Sequence, residues 1–304
     1  MKIEHLTLKE LIDLAGSGLG INVDVGPFSF NLRSKEKTFL STFRDLYIDF
    51  PVLPSEDIVD FYIELNSPNN LRKYFGPQVN VTLDGEQPFQ PFAITHGMPL
   101  FEWGLNWCIA RQGQHLFMLH SAVLERNGKA LILPAIPGSG KSTLCSAIAQ
   151  RGWRFLSDEF CMIRPSDGQI LPIPRPTPLK NESIEVIKNF SPDAFIGPLF
   201  PKTRKGTIGH LRAPSDSVAS MKKTAKPALI VFPRYEPGSA INLKPINKSY
   251  AFLKLTTNSF NYHFQGQTGF DLVCKMISEC ALYDLVYSNL NEAIACLNQI
   301  NDDL

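Results

Sequence analysis

Long apolar runs are missing from this chain: no stretch of about eighteen consecutive apolar residues occurs in its 304, which excludes an ordinary transmembrane helix. The first residues, Met1-Lys2-Ile3-Glu4-His5, lack the basic-then-apolar order of a secretory signal, so the expectation is a soluble cytoplasmic protein without a membrane partner. Net charge is nearly absent as well. Thirty Lys and Arg against 29 Asp and Glu leave +1, which gives no global pull toward nucleic acid or an anionic surface. Cysteine is sparse and unpatterned: the six contain no CxxC pair and no metal-ligand spacing, and Cys274 and Cys280, six apart, do not share a helix face. Reduced, buried thiols are the expectation.

What is present suffices for a sizeable core: 44% of residues are hydrophobic and 19% charged. The length suggests a smaller N-terminal α+β domain over 1–98 and a larger domain over 99–304. In the first, Thr7 and Glu10 frame a helix start, with Leu8, Leu11, Ile12 and Leu14 behind it. Gly16, Gly18 and Gly20 read as a helix stop, because no strand precedes them and no helix follows. Strands are expected at 21–25, 28–32, 60–65 and 79–83, a helix over 37–47, and a turn at Asp84-Gly85. No motif in this part attaches to chemistry. The helix over 99–111 carries Phe101, Trp103, Leu105, Trp107 and Ile109 too widely spread for one stripe, which predicts burial between the two halves. Its Trp pair reads as packing, not as a stacking platform.

The informative stretch begins at residue 117. Two apolar runs flank Asn127-Gly128, a hairpin signal, and the second run, Ala130 to Leu133, leads into Pro134-Ala135-Ile136-Pro137-Gly138-Ser139-Gly140-Lys141-Ser142-Thr143. An amphipathic segment follows, with Leu144, Ala147 and Ile148 on one face and Gly152 as its stop. At average residue usage a bare Gly-Lys-Ser/Thr occurs in roughly one chain in seven of this length, so the flanks carry the assignment. Strand, Gly-containing turn and helix make a phosphate-binding P-loop over Pro137 to Thr143, in which the backbone N–H groups that follow Pro137 surround phosphate oxygens. Lys141 is then the residue for the β/γ-phosphates, and the Ser142 hydroxyl a ligand for Mg²⁺. Ala135 stands where the motif has its first glycine, and it fits only at negative φ.

A strand over 153–156 ends at Ser157-Asp158-Glu159, placing two carboxylates seventeen and eighteen residues after Lys141. A metal ligand (Asp158) and a base are wanted there. His120, on the strand beside the loop, competes for the proton-accepting role. Between 202 and 234, eight basic residues face Asp216 alone. The stretch reads as a solvated surface loop or as an anion-handling loop, and its lack of interleaved aromatics argues against nucleic acid.

From His120 to about Ile163 the chain resembles HPr kinase/phosphorylase. The shared pattern is a strand His, a hairpin, Gly138-Ser139-Gly140-Lys141-Ser142, a helix ending Arg151-Gly152, and an acidic pair. Over its full length it is more similar to the HPr kinase-related kinase A family, through Glu102-Trp103-Gly104-Leu105-Asn106-Trp107-Cys108, Leu179-Lys180-Asn181 and Val231-Phe232-Pro233-Arg234-Tyr235. The resemblance implies an α/β fold with the P-loop kinase core shared by HPr kinases and phosphoenolpyruvate carboxykinases. It also implies ATP, Mg²⁺ held by Ser142 and Asp158, and γ-phosphoryl transfer to a hydroxyl, with Glu159 or His120 handling the proton. Glu159 replaces the second Asp of the parent family, Thr143 replaces its usual Glu, and the Glu-x-Arg-Gly signature is missing after Ile173, which argues against HPr as the acceptor. A serine of a peptide or protein, or a small-molecule hydroxyl, is the expected acceptor; an ATP-holding regulatory module is the rival, and homo-oligomerisation stays open.

Overall fold

The computed structural model describes residues 1–68, 75–136 and 138–304. Helix α1 (Leu8–Gly16) starts at the expected capping box: Thr7 Oγ1 accepts from Glu10 N (3.2 Å) and the Glu10 carboxylate from Thr7 N (2.8 Å). A first sheet follows, built from β1 (Ile21–Asp24), β2 (Ser29–Ser34), β3 (Val52–Leu53), β4 (Phe61–Asn66), β5 (Gln78–Leu83) and β6 (Phe92–Ala93) in the order β3-β1-β2-β4-β5-β6. Helix α2 (Lys37–Leu46) lies in the crossover between the parallel pair β2 and β4. It buries Phe39 and Phe43 against Phe30, Tyr47 and Phe101, all fully enclosed.

Helix α3 (Gly97–Gln112) is not buried all round as its spread of aromatics suggested. It packs on β4 and β5, while Trp103 is 43% exposed and stacks on Phe89 at 4.7 Å. The wide spread arises because one side meets the sheet and another meets the Phe89–Phe92 segment.

The second sheet has order β11-β10-β7-β8-β15-β17-β16, with β9 also paired to β7. Its strands are β7 (Phe117–Arg126), β8 (Lys129–Pro134), β9 (Arg154–Ser157), β10 (Phe160–Ile163), β11 (Ile170–Leu171), β15 (Lys226–Tyr235), β16 (Asn242–Pro245) and β17 (Ala281–Tyr287). Asn127 (φ 56°) and Gly128 (φ 81°) close the β7–β8 hairpin, the primed turn that matches strand twist. Only β8, β15 and β17 run parallel. Both faces are covered, which explains the near-continuous apolar runs. Leu131 and Leu133 join one cluster with Leu144 and Ile148 of α4 (Lys141–Ala149) and Leu297 of α9 (Leu290–Asp303). Ala130 and Ile132 join the other, with Leu255 of α7 (Lys248–Thr257) and Val273 of α8 (Tyr262–Glu279).

A small third sheet, β12 (Thr177–Lys180), β14 (Gly206–Leu211) and β13 (Phe200–Thr203), stands between them, with helix α5 (Glu182–Phe190) beside β12. The proline-rich run before it stays irregular, and Pro178 is tolerated because β12 is an edge strand. The 202–234 stretch is not one loop, which corrects the sequence expectation. Strand β14, helix α6 (Ser215–Ala219) and strand β15 run through it, and several of its cations are spent on structure. Lys222 pairs with Asp24 at 2.7 Å, Lys226 with Glu279 at 3.7 Å, and Arg212 donates to Asp45 O at 3.2 Å. The cysteines are free, four of them buried.

His210 of β14 is 1% exposed and its Nδ1 has no partner among the described residues. Burial, with the nearby Arg175 charge, lowers its pKa to about 4. The unfolded chain protonates this ring near 6.5, so between about 6.5 and 4 the unfolded state binds more protons and acid destabilises the fold. The loss attributable to His210 is about 1.5 kcal/mol on going from pH 6.5 to pH 5. Urea unfolding of wild type and His210→Leu at both pH values measures it; an equal acid loss in the two chains contradicts this account.

Candidate active site

The site is assembled where β7 changes partners. Its first half pairs with β10, so that His120 lies opposite Phe160, and its second half pairs with β9, so that Val123 lies opposite Ser157. The link between β9 and β10 is Asp158-Glu159, and the switch of pairing leaves these two residues at the split, next to His120. On the other edge of β7, strand β8 delivers the chain to the glycine-containing turn and α4.

That turn is fixed by its glycines and by two tyrosines. Gly138 (φ 89°) and Gly140 (φ 87°) are left-handed, and Ala135 is not among the positive-φ residues, so the alanine fits without strain. A Cβ on Gly140 would lie 2.6 Å from Tyr287 Oη and 2.8 Å from Tyr235 Cβ. Tyr287 Oη donates to Gly140 O (3.2 Å) and Tyr235 N to Ser139 O (2.9 Å), so the ends of β17 and β15 brace the loop. Helix α4 begins at Lys141 with no side chain capping its first amides. Those free N–H groups and the helix dipole favour an anion there. The buried Ser139 hydroxyl also lacks a partner among the described residues. Pro137, named with this loop from the sequence, lies outside the described residues.

Asp158 joins the first residues of α4. Its backbone oxygen accepts from Lys141 Nζ, its Oδ1 lies 3.2 Å from the same ammonium, and its Oδ2 accepts from Ser142 Oγ at 2.8 Å. Lys141 and Asp158 are both buried. Burial pushes the Lys141 pKa down, but Asp158 and Glu159 outweigh it and hold the ammonium above its ordinary value. Thr143 is half-buried and makes no side-chain hydrogen bond among the described residues.

Glu159 and His120 form the second half. His120 Nε2 lies 3.4 Å from Glu159 Oε2, both side chains being about a quarter exposed. Burial raises the Glu159 carboxyl, yet contact with His120 and the charges of Lys141 and Lys180 outweigh it and hold the group below the usual range. Phe260 walls this pair, 5.7 Å from the His120 ring and 4.9 Å from Phe160. All six described loop and helix residues named from the sequence, with Asp158, Glu159 and His120, therefore converge on one locality.

Three contributors escaped the sequence reading of chemistry: the bracing tyrosines, Phe260, and a buried network behind the site. In the last, Tyr47 Oη donates to Glu102 Oε1 (2.5 Å), and Arg175 Nη1 donates to Glu102 Oε2 (2.9 Å) while Nη2 reaches Asn106 Oδ1. The available signal was a carboxylate, Glu102, between the apolar Phe101 and Trp103 of α3. A separate cavity of about 390 Å³ on the first sheet, lined by Asn31, Arg33, Tyr62, Glu64, Thr82 and Asp84, shares no residue with the site. Among the described residues no three His, Cys, Asp or Glu are grouped to hold a metal, and no helix is long and apolar enough to cross a membrane.

No family model and no curated protein matches the chain. Among solved structures the chain is similar to the Hpr(Ser) kinase/phosphatase from Coxiella burnetii, with 10% identity over 62% of this chain and 99% of that one. The TM-score is 0.24, which carries no argument about fold or activity.

Proposed function

We propose that the chain is a P-loop phosphotransferase that binds ATP with Mg²⁺ and transfers the γ-phosphoryl group to a hydroxyl, most simply a serine of a peptide or protein. The observation that carries this is the position of Asp158, which meets both Lys141 and Ser142 at an uncapped helix N-terminus, with Glu159 one residue further on facing His120 of β7. The uncapped amides of α4 and Lys141 suit the β- and γ-phosphates. The unpartnered Ser139 hydroxyl is a donor that a phosphate oxygen would satisfy.

Mg²⁺ fits the donors present. Ser142 Oγ and an Asp158 carboxylate oxygen are hard ligands within 2.8 Å of each other, and Mg²⁺ typically takes one or two such groups and completes its shell with phosphates and water. When bound, it neutralises charge on the phosphates during transfer. The chain's own work is to hold the phosphates, to orient the acceptor hydroxyl, and to receive its proton at the Glu159–His120 pair. Glu159 is ionised at neutral pH, and a carboxylate beside a ring nitrogen fixes the imidazole's orientation. The division at residues 98 and 99 belongs to the same proposal, the 1–98 part serving as an accessory unit.

The test uses γ-labelled and α-labelled ATP with a cell lysate or a peptide library. The expected result is label on an acceptor from the γ position only. Hydrolysis without any labelled acceptor would favour the regulatory ATPase reading, and absence of nucleotide binding would sink both.

A further inference from the structure

Lys180 ends β12 immediately before Asn181, a non-glycine residue at φ 51°. The Asn181 side chain ties the β13–β14 hairpin to this point: Nδ2 donates to Lys205 O (3.3 Å) and Oδ1 accepts from Thr207 N (3.0 Å). The approach is so close that a Cβ on Gly206 would lie 2.1 Å from Asn181 Oδ1. The hairpin tip, with exposed Lys205, is therefore held beside Lys180. Strand β12 also packs against α4, the helix that Lys141 opens.

The Lys180 ammonium is half-buried and makes no hydrogen bond or ion pair among the described residues. Burial and the Lys205 charge push its pKa down, while Glu159 and Asp158 pull it up, so these groups lie within electrostatic reach of one another. Two lysines fixed side by side repel, and neither carries a counter-ion of its own. The nearby carboxylates are already engaged, Asp158 by Lys141 and Ser142 and Glu159 by His120. The unmet charge at the end of β12, beside α4 and within electrostatic reach of Glu159, calls for an additional anion there.

We propose that Lys180, assisted by Lys205, holds the terminal phosphate of the bound triphosphate and makes the site prefer ATP over ADP. This rests on the nucleotide reading above. The α4 amides and Lys141 hold the β-phosphate, which both nucleotides carry, as well as the γ-phosphate, whereas Lys180 lies toward Glu159, the side to which only the terminal phosphate of ATP extends. A cation at that end distinguishes the two nucleotides and stabilises charge on the group in flight.

Equilibrium binding of Mg·ATP and Mg·ADP to the full chain tests it, with Lys180→Met, Lys205→Met and Lys141→Met compared with wild type. Lys180→Met is expected to weaken ATP about tenfold or more and leave ADP within about twofold. Lys205→Met, on an exposed hairpin tip where folding is not at risk, should shift the ratio in the same direction by less. An unchanged ATP:ADP ratio in both variants overturns the proposal, and so does an equal loss for the two nucleotides. A change confined to the acceptor's KM overturns it too, assigning the lysines to an anionic acceptor instead. If Lys141→Met weakens both nucleotides while the other variants bind like wild type, the nucleotide site stands and this inference alone falls. If wild type binds neither nucleotide, the nucleotide reading fails and takes the inference with it.

Discussion

Glu159→Gln is expected to slow phosphoryl transfer by about 10²–10⁴ while leaving nucleotide affinity nearly unchanged. Gln keeps the shape of the side chain but cannot carry the charge that faces His120 at 3.4 Å. Because Glu159 is held below its ordinary pKa, it is ionised across neutral pH but is by itself a weak proton acceptor. A carboxylate that weak leaves the proton to the imidazole beside it, and its own part is to hold the ring in place. His120→Ala should therefore lose at least as much, and the double variant little more than the worse single, since the two act as one unit. Stopped-flow or labelled-ATP transfer rates at saturating nucleotide would measure all three. Wild-type rates in both single variants would dismiss the pair and leave positioning by Lys141 and the α4 amides as the source of catalysis.

The parts of the site that were legible in sequence are those whose chemistry is local. Gly138, Gly140, Lys141 and Ser142 are neighbours, and a turn with left-handed glycines opening a helix follows from four or five residues. Asn127-Gly128 and the Thr7–Glu10 cap were readable for the same reason. The acidic pair was legible as a strand end, but its meeting with His120 depends on β7 changing partners between β10 and β9, a register event that no local pattern reports. The basic stretch over 202–234 misled because charge was read as loop, whereas strands and a helix run through it, with its cations mostly exposed. Lys222 and Arg212 instead spend their charge on Asp24 and on a backbone oxygen of the first half. Tyr287, Tyr235 and Phe260 reach the site from strands and loops more than 90 residues away in sequence, where an aromatic among apolar residues carries no signal of its own.

Arg175→Met is expected to destabilise the fold by about 3–5 kcal/mol, the size of effect seen when one partner of a buried pair is removed. Arg175 and Glu102 are both 7% exposed, and Glu102 has Tyr47 as its remaining donor. Burial already holds the Glu102 carboxyl above its ordinary pKa in spite of Arg175 and Tyr47, so loss of the guanidinium leaves a carboxylate in a place that disfavours its charge. The location magnifies the consequence. Tyr47 follows α2 and Glu102 sits on α3, whereas Arg175 lies on the run leading into β12 and Lys180, so the network fastens the first sheet to the strand that flanks the site. Gly26 reinforces the same join, since a Cβ there would lie 2.2 Å from Pro172 O. A double variant, Glu102→Leu with Arg175→Met, removes both charges at once and should recover a kilocalorie or more relative to Arg175→Met alone, because no uncompensated charge remains. Urea unfolding of the two single variants and the double closes the cycle. A loss under about 1 kcal/mol for Arg175→Met, or a double variant that loses the full sum of the singles, would mean that the network merely fills space between the sheets.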